Sequence, residues 1–123
     1  MFEAVSFFRR SHQGRSDDWA AVISLATAFE MLLTDSYEPN VAKRLRKRTQ
    51  ALLRGIRGTA LMQQSVEDLY YARSATVHSG EPQNIDLSTA RRAFVLAFQE
   101  IMQRMPTLRA GEEKPLAFLT GIR

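Results

Sequence analysis

Cysteine is missing from this chain, and histidine is nearly so, with only His12 and His78. Without thiols there is no disulfide and no thiolate metal centre. Two histidines are too few for a histidine-rich metal site, and the Glu-x-x-His helices of di-iron bundles are absent. No metal or other cofactor is therefore expected. Apolar runs fall well short of the roughly 20 residues that span a bilayer. Met1 leads into Phe2-Glu3-Ala4 rather than a basic segment followed by an apolar core, so no signal peptide is read. A cytoplasmic protein without a membrane anchor is the expectation. There is no phosphate-cradling glycine loop, dinucleotide fingerprint or nucleophile elbow. Asp17-Asp18 and Glu112-Glu113 stand in capping and tail contexts and give no reason for paired-carboxylate catalysis. No period-two alternation, internal repeat or low-complexity tract stands out.

What is present is ordinary hydrophobicity and an unusual source of charge. The 123 residues are 45% hydrophobic and 24% charged, enough for one core and too few for two comfortable domains. The net charge is +4, and 14 of the 17 basic residues are arginine. Arginine presents a planar fork of donors that matches phosphate, so the bias leans toward a polyanionic partner. A GC-rich genome produces the same bias.

Helical spacing dominates the chain. Residues 2 to about 12 form a short helix with Phe2, Val5 and Phe8 available for a core, and His12 reads as a solvent-facing helix-end residue. Gly14 ends it. Ser16-Asp17-Asp18 opens a second helix, running to about Asp35, on which Trp19, Val22, Ile23, Ala26, Phe29 and Leu33 recur. Glu30 projects at the edge of that apolar face, where a carboxylate is either half-solvated or paired with a cation. Pro39 is placed to open a third helix. From about Asn40 to Arg57 lies the most basic region, with Lys43, Arg44, Arg46, Lys47, Arg48, Arg54 and Arg57 and no acid among them. Val41, Leu45, Leu52 and Ile56 line one side of it. Arg48 falls nearer that apolar stripe. The remaining charges are either a solvated face or a phosphate-contacting one, and Lys43, Arg44, Lys47 and Arg48 are the expected RNA contacts. Thr59 to Gln64 reads as a connection, and Ser65 with Asp68 as a capping-box-like start of the next helix. Asp86, Ser88 or Thr89 caps a last long helix to about Met105, with Phe94, Phe98, Ile101, Met102 and Met105 on its apolar face. The expected architecture is all-α: a four- to five-helix bundle over residues 1–106, with a C-terminal tail over 107–123 whose Pro115-Leu116-Ala117-Phe118-Leu119 docks as a short helix or serves a partner.

The rest of the chain is organised around Asp68 to Gly80. If this stretch is helical, Val66, Leu69, Tyr70 and Val77 form an apolar stripe and Arg73 falls inside it. A guanidinium there calls for a carboxylate or phosphate. Arg73 is the one cation whose own position calls for such a partner, and Glu30 is the carboxylate read as supplying it. Glu67, Tyr71, Ser74 and His78 share another face at i, i+4, i+7 and i+11.

Tyr70, Arg73, Ser74, His78 and Gly80 together resemble the Arg-x4-6-His signature of the HEPN superfamily, most nearly its ApeA-like or abortive-infection-like branch. Phe29-Glu30-Met31-Leu32-Leu33 resembles an earlier helix of that branch. The resemblance implies a helical bundle that acts as a metal-independent endoribonuclease, plausibly a toxin or antiphage effector, beside a nucleotidyltransferase-like antitoxin or within a larger protein. RNA carries its own nucleophile, so a histidine and an arginine suffice. The 2′-oxygen attacks the adjacent phosphorus and leaves a 2′,3′-cyclic phosphate. His78 would act as general base or acid and Arg73 as phosphate clamp. Ser74 and Tyr71 would serve as hydrogen-bond donors, and Glu30 would orient Arg73. Serine follows the arginine here, where many active relatives carry asparagine, aspartate or histidine. Residues five apart on a straight helix diverge by about 140°. Arg73 and His78 therefore reach one phosphate only if the helix bends or ends between them, or if a homodimer joins two copies of the motif. The competing reading is a non-catalytic helical module that binds RNA or protein, with Arg73 cementing the core.

Overall fold

The computed structural model describes residues 2–12, 19–35, 39–79 and 86–123, and the side chains of all of these except 2, 19 and 74–79. Among the described residues the chain is all-helical. The helices are α1 (Phe2–Arg10), α2 (Trp19–Leu33), α3 (Val41–Leu52), α4 (Thr59–Ser79), α5 (Leu87–Arg104) and a short α6 (Pro115–Thr120), with one 3-10 turn at Met105–Thr107. None of these helices is long and apolar enough to cross a membrane.

Both α2 and α4 contribute to the core. Ala21, Val22, Leu25, Ala26, Ala28, Phe29, Leu32 and Leu33 are all buried, so α2 is apolar over most of its circumference, as a helix at the centre of a bundle must be. It packs against α1, α4, α3 and α5. Alanine does much of this packing: Ala90, Ala93 and Ala97 are buried on α5 with Phe94 and Ile101. Met102, expected on the apolar face, is exposed. Small side chains let helix axes approach, and Phe94 fills the remaining space. It stacks on Phe8 at 4.5 Å and meets Phe29 edge-on at 5.4 Å between ring centroids.

Several helix limits differ from those the sequence predicts. Thr59 to Gln64 belongs to α4, and Ser65 lies inside the helix. The chain break falls earlier, at Gly55 and Gly58, which both adopt φ 83°, a left-handed conformation suited to glycine. From Thr59 onward nothing opposes helix, and Met62 joins Val66, Leu69 and Ala72 on the buried face. Pro39 lies outside α3; the residue before the helix is Asn40, itself left-handed at φ 56°. Asp86 caps α5, accepting from the Thr89 amide at 3.0 Å. The expected stop at Gly14 and start at Ser16-Asp17-Asp18 lie outside the described residues.

The C-terminal segment docks as α6. Asp35, just past α2, accepts from the amides of Leu116 at 2.5 Å and Ala117 at 3.0 Å, capping α6. Arg104 donates to the Leu119 carbonyl at 2.8 Å, and Ala117, Leu119 and Thr120 are buried.

Candidate functional site

Glu30 and Arg73 meet where α2 packs on α4. An Arg73 Nη donates to Glu30 Oε2, joining residues 43 positions apart. This is the contact the two helical faces call for. The pair is not sealed in the core: the side chains are 31% and 27% exposed. Glu30 takes one edge of the guanidinium, and the partial exposure leaves part of the group open to solvent. A guanidinium held this way has a fixed orientation and can contribute charge-assisted hydrogen bonds to an oxyanion.

The other site residues distribute around α4. Tyr71 is 58% exposed, with its ring centroid 6.4 Å from that of Tyr70. Ser74 and His78 belong to α4, but their side chains lie outside the described residues. The backbone bears on the geometry all the same. Since α4 continues through Ser79, the helix does not end between Arg73 and His78. Their positions stand about 140° apart around the axis, so one chain does not aim both at the same point by helical register.

The basic helix α3 runs antiparallel beside α4 after the turn at residues 53–58. Arg46 donates to Glu67 at 2.6 Å, so the acid missing from α3 is supplied by its neighbour. Lys43 and Lys47 are exposed and have no acidic partner among the described residues. Arg44 is half-buried and donates to the Pro39 carbonyl at 3.0 Å.

Arg48 corrects the sequence reading, because it does not lie on this face. It is completely buried. Its guanidinium donates to the Leu33 carbonyl at 2.5 Å and twice to the Ile122 carbonyl, at 2.9 and 3.1 Å. These carbonyls belong to the end of α2 and to the segment after α6, where helix geometry leaves acceptors unsatisfied. Arg48 is thus a structural anchor and is closed to a phosphate chain.

His12 and Ser11 follow the C-terminal end of α1. His12 Nδ1 is 3.1 Å from the Phe8 carbonyl, and its ring meets that of Phe8 edge-on at 4.8 Å. Ser11, buried, donates its hydroxyl to the same carbonyl at 2.6 Å. Arg91 of α5 donates through Nη2 to the Ser11 carbonyl and through Nε to its hydroxyl at 3.4 Å. Burial pulls the Arg91 guanidinium below its ordinary value, though it remains charged at neutral pH. Arg91 carries no sequence signal for this position, because its partner is a backbone carbonyl 80 residues away. No group of three His, Cys, Asp or Glu side chains among the described residues is arranged to hold a metal ion.

No family model, curated protein or solved structure matches the chain.

Proposed function

We propose that the protein is a metal-independent endoribonuclease of HEPN type, cleaving RNA by attack of the 2′-hydroxyl on the adjacent phosphodiester. The observation that carries this reading is the partly exposed Arg73 guanidinium fixed by Glu30 on the helix that bears His78. Arg73 would stabilise charge developing on the phosphoryl oxygens, and His78 would transfer a proton. Tyr71 and Ser74 would donate hydrogen bonds to the substrate. Lys43 and Lys47, exposed on α3, would contact the RNA backbone, with Arg44 at their side.

The register of α4 favours a homodimer, in which Arg73 of one copy and His78 of the other share a phosphate. Toxin or antiphage activity, controlled by a nucleotidyltransferase-like antitoxin or by a larger host protein, fits a small cofactor-free nuclease in the cytoplasm. The same register also favours a second reading, a non-catalytic module that binds RNA along α3. Incubation with RNA in excess chelator separates the two. The nuclease yields 2′,3′-cyclic phosphate ends, and His78→Ala abolishes them at unchanged melting temperature. The binding module retards RNA and leaves it intact.

A further inference from the structure

Tyr71 is the most exposed aromatic side chain among the described residues, at 58%. Its edge-on contact with the half-buried Tyr70, at 72° between ring planes, covers at most one face of the ring. One turn back on the same side of α4 stands Glu67, which accepts from Arg46 of α3 at 2.6 Å. That bond fixes a guanidinium whose side chain is still 48% exposed. Along α3, Lys43, Lys47 and Gln50 share a face at i, i+4 and i+7, and all three are exposed. Arg46, three residues from Lys43 and four from Gln50, borders the same face. No acid occurs between Asn40 and Val66. Asp68, an exposed acid on α4, stands about 100° round the helix from Glu67 and accepts from Gln64 at 2.8 Å.

The outer side of these two helices thus carries unneutralised lysines, an oriented arginine and an open aromatic ring, joined by the Arg46–Glu67 bond. Cations that follow a phosphate chain, together with a ring for its bases, suit an unpaired strand. A duplex shuts its base faces inside the stack and has nothing to lay on a tyrosine. We infer that the outer faces of α3 and α4 bind single-stranded RNA, an unpaired base stacking on Tyr71 and phosphates of the same strand meeting Arg46, Lys43 and Lys47; this rests on the RNA contact along α3 that both readings above share, and it names the form of RNA taken. An unpaired strand also suits the proposed cleavage. Pairing holds the 2′-oxygen out of line with the departing 5′-oxygen, whereas an unpaired nucleotide can rotate into line.

The test measures binding of a short unpaired RNA and of the same RNA annealed to its complement, both 2′-O-methylated so that the attacking hydroxyl is blocked. The unaltered protein is expected to prefer the unpaired strand. Tyr71→Ala is expected to weaken that binding about tenfold and to leave its salt dependence unchanged. Tyr71→Phe keeps the ring and is expected to keep most of the affinity. Lys43→Gln with Lys47→Gln is expected to lower the slope of log affinity against log salt by about 0.7 per lysine. All three side chains are exposed, so the melting temperature is expected to hold. Equal binding of strand and duplex, unchanged affinity in Tyr71→Ala, or an equal loss in Tyr71→Phe and Tyr71→Ala would overturn the platform. If the unaltered protein binds neither RNA, the platform falls as well. Cleavage of the unmethylated strand in chelator judges the ribonuclease reading separately. Cleavage without the expected binding pattern leaves a nuclease that lacks this platform. Intact RNA with the expected binding leaves the platform standing on a non-catalytic module.

Discussion

Arg48 and Arg73 are both carried on the inward side of a helix, yet their surroundings differ in kind. Arg48 is wholly buried and spends its donors on the carbonyls of Leu33 and Ile122. Arg73 is about one-third exposed and faces a carboxylate, Glu30. A guanidinium surrounded by main-chain acceptors joins segments of chain. In this case it ties α3 to the end of α2 and to the C-terminal segment. A guanidinium half-neutralised by one carboxylate and open on its other side keeps donors for something outside the fold. The first arrangement serves stability, and the second leaves room for recognition.

That contrast is sharpened by substitutions with unequal consequences. The largest stability loss is expected for Arg48→Ala, which leaves buried carbonyls unsatisfied and opens a cavity. A loss of about 3–5 kcal/mol is expected in urea unfolding, a large part of the ~5–15 kcal/mol that holds a domain together. Arg48→Lys should recover only part of this, since a single ammonium does not reproduce the planar fork. A fully stable Arg48→Ala protein would remove the distinction between the two arginines.

Next in size is Asp35→Ala, which removes the carboxylate capping α6 at Leu116 and Ala117. It should cost about 1–2 kcal/mol and loosen the segment that supplies the Ile122 acceptor to Arg48. Faster hydrogen exchange at Leu119 and Thr120, with α5 amides unchanged, would report the loosening.

A smaller effect is expected at Asp86, where hydrogen bonds from the Thr89 hydroxyl and amide hold the carboxyl below its ordinary value of 3.8. A folded-state value below the unfolded one means that the cap's contribution is fully present above pH ~4. It disappears as pH falls through the lowered folded-state value. Asp86→Ala should therefore melt lower than the parent at pH 7, by about 0.5–1 kcal/mol of cap energy. The two melting curves should converge in acid, below the lowered folded-state value. A gap that persists in acid would place the stabilisation elsewhere.

Much of the fold is legible in the sequence, because helices built on an apolar stripe announce themselves by period. The all-α bundle follows from helical period, which also makes the Glu30–Arg73 contact one of two readings of Glu30, and Asp86 is one of three cap candidates, of which the Thr89 amide bond selects it. The start of α4 does not, because Ser65 with Asp68 imitates a capping box while the actual break rests on two left-handed glycines. The extent of the buried face of α2 is obscured because much of it, like that of α5, is alanine, which carries little weight in an apolar pattern. Arg48 lies close enough to its stripe to be ambiguous. Its partners are main-chain oxygens 15 and 74 residues away, and backbone acceptors leave no mark in a sequence. Arg91 on Ser11 is hidden for the same reason.

The most direct test of the functional half of the contrast is Arg73→Ala, measured twice on one preparation: melting temperature, and RNA cleavage in excess chelator. With both partners partly exposed, the ion pair contributes about 1 kcal/mol or less. Melting should therefore shift by only a few degrees, while formation of 2′,3′-cyclic phosphate ends is lost. A folded Arg73→Ala protein that cleaves RNA as fast as its parent would contradict the account.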